Sequence, residues 1–405
     1  MENGKWPMEN NDMTKFHKLL FFPYILSLFA LFLYSFTQID LSLTFSRIEA
    51  LRNIVTSFQY IGYFDRPLST YLFLFLITVL YIFYFVFLKL SYKKKLAKKF
   101  VWTLLGTATV ILAFSYNAFS YDLFNYMFDA KIVTHYGQNP YEHKALDFPG
   151  DPMLSFMHWT HRVYPYGPVW LVLTVPLSFI GFNFFLPTFF LFKFLCAGAF
   201  FGSLYFIGKI FQKISPENET AGLVFFGLNP FILIESLVSA HIDIVMIFFV
   251  LWSFYLLIEK KHFLSIVLLA ISVGIKFATL ALLPVYIMVY FMQRRKSIPW
   301  EHVFLLSIIL LLTTVYYATM RTNFQPWYLL LPLSFTVFLA KRFYILIPVS
   351  VISFTALLNY VPFLYTGNWD PPIPQILSNI NMASYVISFV AIVVYYLLIK
   401  RQAGK

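Results

Sequence analysis

Apolar runs of about 15–22 residues recur along the whole chain, and they limit its folds more than any other feature. LLFFPYILSLFALFLYSFTQ begins at Leu19, and YLFLFLITVLYIFYFVFLKL begins at Tyr71. Runs of this length match the hydrocarbon thickness of a bilayer. No water is available there, so each backbone polar group must bond within the protein, and only helices or a closed barrel can span. The runs are continuous rather than alternating, which selects helices. Composition agrees: of 405 residues 60% are hydrophobic and 12% charged, about half the charge of a soluble domain. The 50 Phe and 28 Tyr suit a lipid-facing surface with aromatic belts. The expected fold class is all-α, a polytopic membrane protein. The Leu19–Gln38 run exceeds a signal peptide's apolar region and no small-residue cleavage site follows, so it reads as a retained span. The single cysteine, Cys196, lies in an apolar run and leaves the redox compartment unread. The net charge of +12 does not point to nucleic acid, because Lys and Arg collect in short turns between the runs.

Those turns orient the chain by the positive-inside rule. The tail 1–18 carries Lys5, Lys15 and Lys18 and is expected in the cytoplasm. Residues 19–99 hold two crossings and the basic loop KLSYKKKLAKKF. A third crossing ends near residue 119, so the stretch 120–166, the longest polar one, is expected to be an external loop. Counting 167–185 as a full span would turn the later basic groups outward, among them Lys209, Lys213 and the QRRK turn at 293–296. It is therefore expected to be re-entrant, in keeping with Pro165, Pro168 and Pro176. The remainder alternates to give about twelve transmembrane helices plus the re-entrant one, with both termini cytoplasmic in a multi-pass cell-membrane protein. Only seven of the 30 Lys and Arg then face outward.

The acids and histidines go the other way. Asp40, Asp65, Asp122, Asp129, Glu142, Asp147, Asp151, Asp243 and five of the eight His fall on the external side. A transporter keeps ionisable groups near the midplane, at the interface of internal repeats, and no repeat is evident. Asp122 begins two residues beyond the third span and shares a helical face with Asn125 and Asp129. It reads either as a general base for a hydroxyl bound above the membrane or as a helix-end group bonding its own loop. For Asp129, Asp147 and Asp151 the plainer reading is a solvated loop carboxylate. Arg321 suits a lipid phosphate, which guanidinium matches bidentately; Gln325, Trp327 and Tyr328 beside it either stack on sugar or prenyl groups or belong to an aromatic belt. In ESLVSAHID, His241 either bonds a phosphate or acceptor hydroxyl or is a satisfied helix-end histidine, and Asp243 follows it. Lys276, at the end of a short span, needs an anion, either a ligand phosphate or Glu235. His158 and His161, three apart in HWTH, lack an evident third metal ligand.

SYDLFNYM, GQNPY (137–141), YPYGPVW (164–170), LNPFILIESLVSAHID and QPWYLLLPL, in that order, resemble the GT-C superfamily of membrane glycosyltransferases, and most the polyprenol-phosphate-mannose-dependent mannosyltransferases. The resemblance covers roughly residues 100–335, which implies a catalytic core there with its external loop 120–166, and leaves 336–405 as C-terminal helices on the acceptor side. It implies an inverting hexosyl transfer, of mannose, from a polyprenyl-phosphate donor to a glycan, lipid or protein acceptor on the external face. Asp122 takes the position of the family's general base. Arg321, His241 and Lys276 would meet the donor phosphate. Asn125, Asp129, Asn139, Tyr141, Arg162, Tyr164, Tyr166, Asp243, Gln325, Trp327 and Tyr328 would line the substrates. No cofactor is implied, and a divalent metal stays an open alternative. The chain departs from the family where an acidic pair is common: Leu123 follows Asp122. The rival readings are a polyprenyl-diphosphate-glycan ligase or polymerase, which would need more external cations, and a multi-pass transporter or flippase.

Overall fold

The computed structural model describes residues 10–44, 48–294 and 297–403. Lys5 of the tail, Arg295 and Lys296 of the QRRK turn, and Lys405 lie outside the described residues. The chain is 78% helical, and the described residues contain no strand. In order the helices are α1 (Asn10–Ser35), α2 (Glu49–Gln59), α3 (Arg66–Tyr92), α4 (Lys98–Ala113), α5 (Asp122–Thr134), α6 (Pro168–Ile180), α7 (Phe185–Ile214), α8 (Glu219–Gly227), α9 (Pro230–Leu233), α10 (Asp243–Ile258), α11 (His262–Ile275), α12 (Leu283–Met292), α13 (Trp300–Arg321), α14 (Leu330–Thr336), α15 (Phe343–Leu358), α16 (Val361–Thr366) and α17 (Ile373–Ala403).

Six stretches among the described residues are long and apolar enough to cross a bilayer: His17–Gln38, Arg66–Tyr92, Phe185–Ile214, Trp300–Arg321, Phe343–Thr366 and Ile373–Ile399. A seventh is broken, with Pro216–Gly227 and Pro230–Val238 meeting at 59°. The remaining apolar helices are short; α10, at 16 residues, covers about 24 Å against a core of about 30 Å. The all-helical membrane class is therefore plain. A count near twelve requires the short helices to be crossings as well.

Contacts between helix ends order the bundle. α10 and α11 run antiparallel: Ser253 and Ser265 exchange hydrogen bonds near one end, and Ser272 donates to the Met246 carbonyl at 2.9 Å toward the other. At that second end lie the start of α10, the end of α11, the start of α7 and the end of α4; Tyr116, just past α4, stacks on Phe189 of α7. The basic turns gather at the opposite end, where Lys98 pairs with Glu219 at 2.6 Å and Lys213 with Glu259 at 2.7 Å. α3 runs along the core: its Tyr81 and Tyr84 hydroxyls donate to Asn229 Oδ1 and the Phe225 carbonyl, and its Tyr92 donates to the Ala340 carbonyl.

α5 and α6 are not among the long spans. α6, the segment expected to be re-entrant, is a single helix of 13 residues, about 20 Å long. It begins where the Gly167 amide bonds the Ile275 carbonyl at the end of α11. It finishes where Ser178 and Asn183 meet Thr134 of α5, just before α7. Both ends of α6 thus sit at the same end of the bundle. Its entry is tight: a Cβ on Gly167 would stand 2.1 Å from the Gly274 carbonyl oxygen. Gly167→Ala is expected to cost about 1–3 kcal/mol through this overlap, seen as a lower midpoint of thermal unfolding in detergent; an unchanged midpoint would show that α6 is not clamped on α11.

Candidate active site

The site grows from a break in the α8–α9 helix. Asn229 caps α9 by accepting from the Phe231 amide at 3.0 Å, and Pro230 at the first helical position removes a hydrogen bond and turns the axis. After α9 the chain widens into a π-turn, Ile234–Val238. Lys193 of α7, itself buried, reaches this turn and donates to the Leu237 carbonyl, to the Val238 carbonyl at 2.8 Å and to Ser115 Oγ at 3.2 Å. Its ammonium thus supplies donors that the turn's backbone lacks. Ala240 then takes φ +54°, and the His241 amide returns to the Glu235 carbonyl at 3.1 Å.

The imidazole of His241 is fully buried between two carboxylates. Its Nδ1 lies 3.7 Å from Asp122 Oδ2, and its Nε2 lies 3.2 Å from Glu235 Oε2. Both approaches fall within ion-pair range, yet neither is aligned as a hydrogen bond. Such pairs often tighten only once substrate binds. Trp327 stacks on the ring with centroids 4.1 Å apart. Glu235 is fully buried, and its other oxygen accepts from Tyr360 at 2.7 Å. Asp122 opens α5 and keeps 13% of its side chain exposed, the one accessible carboxylate of the three-residue row.

A second pair adjoins. Lys276 bonds both oxygens of buried Asp243, at 2.9 and 3.2 Å, and stands over the Tyr328 ring at 5.1 Å. Of the two expected partners, Glu235 is corrected: within the protein the anion is Asp243, which starts α10 beside the end of α11, whereas Glu235 is held by Tyr360. The 321–328 turn reaches the cluster through Trp327 and Tyr328. Arg321 is exposed at the end of α13 and makes no ion pair with a described residue. Gln325 is partly exposed ahead of the Pro326 turn.

The loop after α5 closes the other side. Arg162 stands over the Tyr166 ring at 5.6 Å, and Tyr166 meets Tyr126 edge-on at 5.4 Å. Tyr164 is buried and donates to the Gly167 carbonyl at 2.8 Å, while Tyr141 donates to the Tyr166 carbonyl at 3.2 Å. These two tyrosines, with the Asn139 turn that caps Tyr141 and holds Glu142, shape the loop. Asn125 of α5 donates to the Tyr121 carbonyl just ahead of the helix. An open, mostly apolar groove of about 550 Å³ runs past Val133, Pro140, Tyr141, Leu171, Val172 and Val175.

Two carboxylates read as solvated are not. Asp151 is buried, paired with Lys131 and accepting from Tyr136 at 2.7 Å. Burial alone would raise its pKa, but Lys131, the Met153 amide and Tyr136 hold it below the usual carboxylate range. Asp129 is partly exposed, yet its Oδ2 is buried without a hydrogen-bond partner. Burial pushes its pKa up from 3.8 to about 7; nearby Arg162 opposes the rise and the Asp122 charge adds to it. The sequence hid this because nothing local shows that the loop after α5 folds back over it. His158 packs on Tyr121 with centroids 4.0 Å apart. Among the described residues no group of three or more His, Cys, Asp or Glu stands together as a metal-holding set.

Sequence reading missed Tyr360 and gave Glu235 only a minor role. Nothing local marks Tyr360, and the one available signal for Glu235 was an acid directly after the apolar stretch NPFILI.

Fold and site together define a helical membrane protein with a buried imidazole between two carboxylates at one end of its bundle. Residues 38–292 match the family model described as alpha-(1->6)-mannopyranosyltransferase, N-terminal domain. That is more than half of the chain, and the protein belongs to this family of GT-C-type mannosyltransferases; it is a glycosyltransferase. No curated protein and no solved structure matches it.

The raised Asp129 predicts a pH dependence. Between about pH 4 and 7 the folded protein keeps a proton that the unfolded chain releases, so stability falls as pH rises through this window and levels off above it. Asp129→Asn removes the ionisation. Its unfolding midpoint should gain on the wild type between pH 5 and pH 8; a constant difference across that range would rule out the buried, protonated carboxyl.

Proposed function

We propose that the protein transfers mannose from a polyprenyl-phosphate donor to a glycan, lipid or protein acceptor at the external membrane surface, with inversion and with Asp122 as general base. The observation that carries this reading is Asp122 itself: a carboxylate at the mouth of a buried polar cluster, at the bundle end opposite the basic turns. That charge separation supports both termini being cytoplasmic and about twelve crossings, with the short helices included.

The steps follow from charge. Asp122 takes the proton of the acceptor hydroxyl, whose oxygen attacks the anomeric carbon as the glycosyl–phosphate C–O bond breaks. The leaving phosphate is a stable anion, so no strong acid is required. Its growing charge is met by Arg321, and by Lys276 if the phosphate competes with Asp243. Trp327, Tyr328 and Tyr166 offer faces for the sugar, with Arg162 and Gln325 at its hydroxyls. The apolar groove past Val172 and Val175 suits the prenyl chain. The linkage in the family's name makes the attacking nucleophile a primary 6-hydroxyl, and inversion to an α product demands a β-linked donor. The mechanism calls for no cofactor.

Asp122→Asn should insert and fold normally but lose at least about 100-fold in transfer rate, measured with a synthetic β-linked polyprenyl-phosphate mannose; near-normal turnover would remove Asp122 from the chemistry. Arg321→Ala should raise the donor KM about tenfold or more and spare the acceptor KM. Equal donor KM values would take the phosphate away from Arg321. Chelation with EDTA should leave the rate within about twofold, and a collapse restored by a divalent ion would make the metal part of the site.

A further inference from the structure

We propose that His241 is the proton sink for the transfer step and that Glu235, tethered by Tyr360, is the positioning residue that fixes its tautomer; this rests on Asp122 acting as the base. A histidine kept in a packed interior for structural reasons normally has its ring nitrogens hydrogen-bonded. Here both stand unaligned, each facing a carboxylate oxygen, at 3.7 Å for Asp122 and 3.2 Å for Glu235. The two carboxylates differ in access. Asp122 opens onto the site, whereas Glu235 has no exposure and is held by Tyr360, which precedes α16. An Nε2–H directed at Glu235 leaves the Nδ1 lone pair facing Asp122, the arrangement in which imidazole can accept what the carboxylate collects.

The step balances. The acceptor O–H proton passes through Asp122 to His241 Nδ1. The oxygen pair forms the new C–O bond, and the electrons of the broken glycosyl–phosphate bond leave with the phosphate. The imidazolium, lying between Glu235 and the Trp327 face, returns its proton to water once product has gone. The remaining ionisable groups around the ring are engaged elsewhere. Lys193 of α7 bonds the carbonyls of Leu237 and Val238, and Asp243 at the start of α10 is paired with Lys276 of the α11 terminus. Trp327, from the turn after α13, is neutral. Tyr360 acquires a role by the same geometry. It lies outside the matched residues 38–292 and ties the C-terminal helices to the chemistry.

The test uses the full chain in detergent, with β-linked polyprenyl-phosphate mannose, comparing wild type with Asp122→Asn, His241→Gln, Glu235→Gln and the milder Tyr360→Phe. For Glu235→Gln, kcat is expected to fall about 10–100-fold with donor KM within about twofold. The acid limb of its kcat profile should move to lower pH by about one unit, because a neutral partner no longer favours imidazolium. Tyr360→Phe should show the same shift in smaller measure. If Glu235→Gln keeps the wild-type limb, or His241→Gln keeps half of wild-type kcat while Asp122→Asn is inactive, the relay falls and the base assignment stands. If Asp122→Asn is active, the base assignment itself falls. A measurement independent of turnover is nitrogen NMR of ¹⁵N-histidine-labelled protein, with the His241 signal assigned by its loss in His241→Gln. A neutral ring carrying its proton on Nε2 is expected, changed in Glu235→Gln; a proton on Nδ1 overturns the proposal.

Discussion

A buried imidazole between two carboxylates is the constraint around which this bundle is arranged. Charges removed from water are costly unless paired and bonded, and here each partner comes from a different part of the chain. Asp122 opens α5, Glu235 and His241 sit on the π-turn and just beyond it, and Tyr360 comes from the turn between α15 and α16. Lys193 and the Lys276–Asp243 pair extend the same demand to α7, α10 and α11. Pulling any one of these helices away would strand a polar group in an apolar interior. The cluster therefore specifies which helices must meet at that end, while the apolar faces along their lengths supply non-specific association.

The π-turn is where backbone and side-chain demands coincide. A helix broken at Asn229–Pro230 and widened at Ile234–Val238 frees carbonyl groups that a regular helix would have used. In water this would be trivial. In a packed apolar setting the freed carbonyls call for a donor, and Lys193 provides it from α7. The irregularity is thereby stabilised, and it sets Glu235 and His241 on one side of the turn, six residues apart in sequence yet facing each other. A regular α-helix would set positions 235 and 241 about 120° apart around its axis and about 9 Å along it. The break is thus what allows this pair to form.

How much of this could be read from the sequence follows from the range of each interaction. Helicity and membrane class were legible because continuous apolar runs are a local signal. The meeting of Asp122, His241, Trp327 and Lys276 was legible in outline, since each lies just past a run and so shares a depth with the others. The pairings were not. Glu235 and Tyr360 lie 125 residues apart, and Lys276 takes Asp243 rather than Glu235 because of how α11 ends beside α10, which no periodicity encodes. Asp129 and Asp151 read as solvated because loops look polar; their burial is produced by the 135–166 segment folding back on α5. The number of crossings is blurred for a physical reason as well: helices such as α10 are shorter than the hydrocarbon is thick, and length alone does not say whether they cross.

The charge balance at the site bears on the kind of donor it can accept. Lys276 is already paired with Asp243, and the Lys193 amine is enclosed by Ser115 and the Leu237 and Val238 carbonyls, so neither stands open to an arriving anion. On the proposed reading the free cationic capacity is that of exposed Arg321, with Arg162 partly committed to the Asp129 neighbourhood. One guanidinium matches one phosphate bidentately. A diphosphate would bring a second anionic group into a cluster already holding Asp122, Asp243 and Glu235, where repulsion is strong because water is scarce. On the same reading, with Asp122 as the base, the scarcity of water gives the imidazole behind it a role. On that reading a ring held by Glu235 gives the proton collected by Asp122 a destination away from the departing phosphate.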